Sequence, residues 1–191
     1  KLKADVQSLA KKVIGMEEEI LNCFSEVYKS KLSASKTRIH GDYHLGQVLF
    51  TGKDFIIIDF EGEPGFSFSE RRLKKSPLKD VAGMMRSIHY AAFGKLLLNE
   101  NYRDQDLEIM EMWAEQWQHY VSRFYMGAYM ERAHPGVSWS SDFEILIRTF
   151  LLEKAIYELG YELNGRPDWV IIPLRGIDYH MQRYFMEKNT K

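Results

Sequence analysis

Apolar side chains at Val6, Leu9, Val13, Ile20, Phe24 and Val27 recur at roughly helical spacing with charges between them. That pattern predicts one amphipathic helix over residues 4–32, with Gly15 as an interruption. A loop follows at "SASK" (33–36). The period then changes: "QVLF" (47–50) and "FIIIDF" (55–60) are rich in β-branched and aromatic residues, and "TGKD" between them carries turn chemistry. These features predict a β-hairpin. Residues 62–76, with glycines, a proline, serines and a basic run, predict an extended loop. "SPLKDVAGMMRSIHYAAFGKLLL" then begins a helix with Ser76 as N-cap, Pro77 in the first turn and Asp80 near the positive end. Residues 104–132 predict a long helix rich in Met, Trp and Tyr, broken by "HPGVS" (134–138). A further helix over 140–164 ends at "NGRP" with Gly165 as C-cap. "DWVIIPL" predicts a buried linker or short strand, and 176–188 a last helix. The fold class is mainly α with one small β-hairpin.

Composition narrows the function classes. The 191 residues are 45% hydrophobic, enough for one sizeable core. Formal net charge is -1, from 26 basic and 27 acidic residues, so no nucleic-acid footprint or acidic tail is present. A lone cysteine, Cys23, cannot form an intrachain disulfide and reads as inert, pointing to a reducing cytoplasm. No apolar run approaches the roughly 18 residues of a membrane span, and no signal peptide is visible. The chain starts at Lys1, which suggests a piece of a longer protein.

The chemistry concentrates in "RIHGDYHLGQVLFTGKDFIIIDFEGEP", Arg38 to Pro64, where acids lie at the ends of the hairpin. Phosphoryl transfer needs a group that positions or deprotonates the attacking hydroxyl, and oxygen ligands that hold Mg²⁺ on nucleotide phosphates. In the kinase arrangement a base Asp is followed five residues later by an amide ligand, and a hairpin then delivers a second Asp. Asp42, Gln47 and Asp59 stand in that order and spacing.

These residues carry a family resemblance. "HGDYHLGQVL", "IIIDFEGEP", "ERRLKKSPLKDVAGMMRS" and "EKAIYELGYELNGRPDWVIIPL" together resemble the maltokinases over about residues 36–180. Those enzymes have an aminoglycoside-phosphotransferase-like, protein-kinase-like fold and use ATP to phosphorylate maltose at its anomeric hydroxyl. The product, maltose 1-phosphate, feeds α-glucan, glycogen and trehalose metabolism, and some members are fused to trehalose synthase. The resemblance implies Asp42 as catalytic base, and Gln47 and Asp59, with Glu61 as a possible addition, as Mg²⁺ ligands. It places Tyr157, Glu158, Tyr161, Glu162 and Arg166 in the sugar-binding part, about 104–188, with His44 near substrate. Tyr125 and Tyr129 are a weaker second choice. It further implies that residues 1–191 form a single C-terminal substrate lobe around the loop 38–64. No "GxGxxG" and no lysine on a strand precede His40, so the N-terminal ATP lobe is expected to be absent and the isolated chain inactive. Expected partners are maltose, ATP, the chain's own N-terminal lobe and a fused trehalose synthase, with no nucleic acid or membrane.

Blander readings apply to other features. His40 reads as a brace beneath the loop, and Asp80, behind the site, as a support that accepts backbone N–H groups. His44 stays open between substrate contact and a hydrogen bond across the loop. A zinc reading of the histidines fails for want of a helical H-E-x-x-H. "RRLKK" (71–75) reads as a solvated face, and "EIMEMWAEQWQHY" as core with Met filling gaps. Two other functions remain: a kinase of an aminoglycoside or other small alcohol, and a non-catalytic glucan-binding module fused to trehalose synthase.

Overall fold

The computed structural model describes residues 3–29, 31–97, 102–132 and 140–189. Seven helices and one antiparallel hairpin appear among them: α1 (Ala4–Ile14), α2 (Glu17–Lys29), β1 (Val48–Phe50), β2 (Phe55–Ile57), α3 (Phe68–Arg71), α4 (Leu78–Leu97), α5 (Asp104–Arg132), α6 (Ser141–Gly165) and α7 (Ile171–Asn189). No helix among the described residues is long and apolar enough to cross a membrane. The expected break at 134–138 lies outside the described residues.

Helix α6 is the hub. Its Leu152 and Ala155 join Val6 and Val13 of α1, Cys23 of α2, and Ile177 and Met181 of α7 in one core. One residue along the helix, Leu151 joins Phe143, Leu146 and Ile147 of α6, with Val81 and Ala82 of α4 and Met126 of α5, in a second. Apolar residues on opposite faces of α6 thus cement the two halves.

Five expectations need correction. The first predicted helix is two. Gly15 N–H closes α1 on Lys11 O at 3.0 Å, and Glu17, Glu18 and Glu19 then occupy the first turn of α2, where negative charge is favoured. The loop 62–76 contains α3, because Ser67 and Glu70 form a reciprocal capping box. "DWVIIPL" is helical: Pro167–Trp169 make a 3₁₀ turn, and α7 begins at Ile171 with Pro173 in its first turn, where a missing N–H costs nothing. Gly165 is the last residue of α6, and Arg166 is the C-cap. The Met and Trp stretch of α5 is not core either. Trp113 is 66% exposed, and Ile109, Met112, Trp117 and Tyr120 are exposed with it, because the packed face of α5 is the one bearing Met126.

Strands β1 and β2 pair in the register Val48↔Ile57, Leu49↔Ile56, Phe50↔Phe55. The loop 51–54 closes with Thr51 N–H to Asp54 O at 2.9 Å, Gly52 taking φ +89°. The open end of this hairpin, where the chain enters β1 and leaves β2, borders the candidate site.

Candidate active site

Two loops meet at the base of the hairpin. The loop before β1 carries Gly41, Asp42, Tyr43 and His44, and the loop after β2 carries Asp59 through Glu63. They touch at two glycines of positive φ, Gly41 at +90° and Gly62 at +82°. A Cβ on Gly41 would lie 3.2 Å from Gly62 Cα, so the approach leaves no room for a side chain. Asp59 itself adopts φ +61°, in the left-handed region that few residues other than glycine enter.

Helix α4 clamps the first loop from below. Asp80 Oδ2 accepts the His40 N–H at 2.7 Å and Oδ1 accepts the Gly41 N–H at 2.9 Å. Gly83, one turn on, lets the Tyr43 carbonyl rest on the helix, since a Cβ there would fall 2.6 Å from Tyr43 O. Buried His40 ties the two loops together. Its Nδ1 accepts the Asp42 N–H at 3.3 Å, and its Nε2 lies 2.7 Å from Ile58 O. These partners assign the Nε2–H tautomer, with Nε2 donating.

Asp42 is half-buried between two donors. Lys154 Nζ lies 3.4 Å from its Oδ1, and His44 Nε2 is 3.8 Å from its Oδ2. His44 Nδ1 accepts the Gly46 N–H at 3.1 Å, which turns Nε2 toward Asp42. Lys154 also pairs with Glu63 at 3.0 Å, and the Tyr157 hydroxyl donates to the other Glu63 oxygen at 2.8 Å. Burial disfavours the charge on Lys154, yet Glu63 and then Asp42 outweigh it and raise its pKa above 10.5. Burial, with the Glu63 hydrogen bond second, pushes Tyr157 up to about 12. The cavity bordered by Asp42, Glu63, Lys154 and Tyr157 measures about 40 Å³. That is far below the roughly 300 Å³ at which small-ligand pockets begin. It has room for water but not for a sugar ring.

At the same base of the hairpin Gln47 Nε2 donates to Asp59 Oδ2 at 2.9 Å. An amide and a carboxylate thus converge from the two strands. Turned toward a cation, the amide oxygen and the carboxylate form a hard oxygen pair of the kind Mg²⁺ accepts, with its other positions left to water and phosphate oxygens. No group of three or more His, Cys, Asp or Glu side chains suited to a metal occurs among the described residues, and Mg²⁺ held partly by a nucleotide needs none. Glu61 is exposed beside Asp59.

The remaining residues separate into groups. Tyr157 reaches the Asp42 cluster. Glu158 pairs with Arg86 at 2.7 Å. Glu162, 2% exposed, takes Arg166 on both oxygens at 2.7 and 2.9 Å and the Tyr90 hydroxyl at 3.2 Å. Arg166 lies over Trp169, 4.6 Å from the ring centroid, and 5.7 Å from that of Tyr161. Tyr125 and Tyr129 face an open hollow beside His40 and Phe60. Sequence reasoning missed Lys154 and the role of Glu63. The available signal was Lys154 three residues before Tyr157, on one face of α6.

No family model matches the chain. Curated relatives do, among them two glucosamine kinases. One is a glucosamine kinase of Mycolicibacterium smegmatis, 27% identical over 135 residues, which cover 70% of this chain and 32% of the relative. The other is a glucosamine kinase of Streptacidiphilus jiangxiensis, 24% identical over 135 residues, 71% of this chain and 29% of the relative. The chain thus matches about a third of the length of these relatives. Among solved structures, one crystal form of a glucosamine kinase superposes with a TM-score of 0.70 at 17% identity, covering 93% of this chain and 41% of that one. A glucosamine kinase in complex with glucosamine, ADP and inorganic phosphate gives 0.65 at 17% identity, covering 96% and 50%. The chain has the fold of the matching part of these sugar kinases.

Proposed function

We propose that this chain is the substrate lobe of an ATP-dependent sugar kinase. The observation that carries the reading is the convergence at one hairpin of Asp42, fixed by His40 and Asp80, with the Gln47–Asp59 pair. Asp42 accepts the proton of the attacking sugar hydroxyl. Gln47 and Asp59, with Glu61 next to them, would hold Mg²⁺, which supplies charge neutralisation on the transferring phosphoryl group. Lys154 keeps Asp42 oriented while the acceptor is absent. Because the space there holds only water, the Lys154 and Tyr157 side chains must turn aside for a sugar to reach Asp42. Residues 1–191 would then be one lobe, and a nucleotide-binding lobe would cover the exposed Leu49, Phe50, Phe55 and Ile56 of the hairpin. A cytoplasmic setting, read from the lone Cys23, belongs to the same proposal.

Two acceptors are in contention. The sequence motifs favour maltose, phosphorylated at its anomeric hydroxyl, with a fused trehalose synthase as an upstream source. The names of both curated relatives favour glucosamine. The test is a protein in which this chain is joined to a nucleotide lobe, incubated with ATP, Mg²⁺ and, separately, glucosamine, maltose and an aminoglycoside. Phosphorus NMR of the products identifies the acceptor. A sugar phosphate from either sugar supports the kinase reading. ATP left intact with every acceptor, by a folded protein that binds nucleotide, refutes it. The chain alone is expected to show no turnover.

A further inference from the structure

On the other side of α4 from the catalytic loop, helices α4, α5, α6 and α7 surround a second cavity of about 650 Å³. Its volume falls within the roughly 300–1,000 Å³ typical of small-ligand sites. Its charge is one-sided. Four arginines and three histidines border it, against one carboxylate, Glu144. Two of the arginines are already compensated: Arg86 pairs with Glu158 at 2.7 Å, and Arg148 with Glu26 at 2.6 Å. The other two, Arg123 of α5 and Arg183 of α7, pair with no acid among the described residues. Arg183 Nη1 donates only to the Tyr179 hydroxyl at 3.3 Å.

A buried imidazole borders the same space. His89 is 7% exposed, and its Nδ1 has no hydrogen-bond partner. A buried ring nitrogen without a partner is uncommon, and the missing partner is accounted for if a ligand supplies it. Burial first, then Arg86, His180 and Arg175, keep His89 well below the ordinary histidine range. His180 is held down to about 3 by burial and by Arg86 and Arg183. Both rings are therefore neutral, and each can donate one N–H to an acceptor. The rest of the wall is apolar, including Met126 and Ile147. Guanidinium groups bind phosphate oxygens in forked, charge-assisted pairs. A dianion matches two uncompensated arginines, and an apolar wall matches an organic body attached to it.

We propose that this cavity binds a small organic phosphate, its phosphoryl group taken by Arg123, Arg183 and His89 and its body lying against Met126 and Ile147. The site is separate from Asp42, and the proposal stands whether or not the chain transfers phosphate. The test is calorimetric titration at low ionic strength with inorganic phosphate, glucose 6-phosphate and phenyl phosphate, glucose serving as the uncharged control. At least one phosphate ester is expected to bind saturably at one site per chain, with glucose silent. Each lost charge-assisted contact is expected to weaken binding about tenfold, so Arg123→Gln with Arg183→Gln together cost about a hundredfold. Both arginines are exposed, so the fold survives, which circular dichroism verifies. Asp59→Asn is expected to leave binding unchanged, and His89 ring ¹⁵N resonances to move on titration. The proposal is overturned if none of the three phosphates binds, if the double variant binds as tightly as wild type, or if Asp59→Asn removes binding.

Discussion

Replacing Asp80 by alanine strands two backbone donors, His40 N–H and Gly41 N–H, that now share one carboxylate at 2.7 and 2.9 Å. Hydrogen bonds to a charged group contribute about 1.5–3 kcal/mol each, so the pair sets a range of roughly 3–6 kcal/mol. The lower end applies. His40 is buried, but Gly41 is half-buried and an open hollow bordered by His40 and Asp80 lets water replace part of what is lost. The expected loss is therefore about 3 kcal/mol in urea unfolding, or about 6–12 °C in Tm for a chain of this size. Asp80→Asn keeps one accepting oxygen and is expected to lose about half as much. Amide hydrogen exchange at His40 and Gly41 is expected to quicken in both variants, ahead of exchange in α6. If Asp80→Ala stays within about 0.5 kcal/mol of wild type, the clamp does not hold the loop and the reasoning fails.

Gly83→Ala drives a Cβ to within 2.6 Å of the Tyr43 carbonyl, and is expected to destabilise by about 1–3 kcal/mol in chemical denaturation while displacing the loop's amide resonances. Glu70 is held below the ordinary 4.5 by hydrogen bonds from the Ser67 hydroxyl and backbone, so its contribution to α3 is present above pH 4.5 and lost as pH falls through its lowered value. Carboxyl NMR titration is expected to place its midpoint below 4.5, and Ser67→Ala to move that midpoint back up. Arg166→Ala leaves buried Glu162 with only the Tyr90 hydroxyl and is expected to cost about 3 kcal/mol; a thermal melt unchanged from wild type would contradict the pairing.

Much of the architecture was legible because local rules decide it. The limits of α5 and the presence of the hairpin follow from side-chain pattern and turn residues, but β2 stops at Ile57, short of the expected Phe60, because Asp59 turns out of extended backbone at φ +61°. The split between α1 and α2 turned on Gly15 and the three glutamates after it, which a periodicity reading averages over. Val170, Ile171 and Ile172 have strand-like side chains, yet Val170 and Ile172 are buried and Ile171 partly buried where the 3₁₀ turn meets α7, so packing overrode propensity. The exposed aromatics of α5 show that composition does not report which face meets the core. At the site, Asp42, Gln47 and Asp59 lie within eighteen positions and their spacing is itself the signal. Lys154 comes from 112 residues beyond Asp42, and apart from its spacing to Tyr157 on α6 no local pattern points to that contact.

The most direct test of the central claim is Asp42→Asn in a protein joining this chain to a nucleotide lobe, followed by initial rates with ATP, Mg²⁺ and the accepted sugar. If Asp42 takes the proton of the attacking hydroxyl, kcat is expected to fall by about 10²–10⁴ while ATP affinity and Tm hold. A variant that retains kcat within about threefold, correctly folded and still binding ATP, would contradict the assignment of Asp42 as the base.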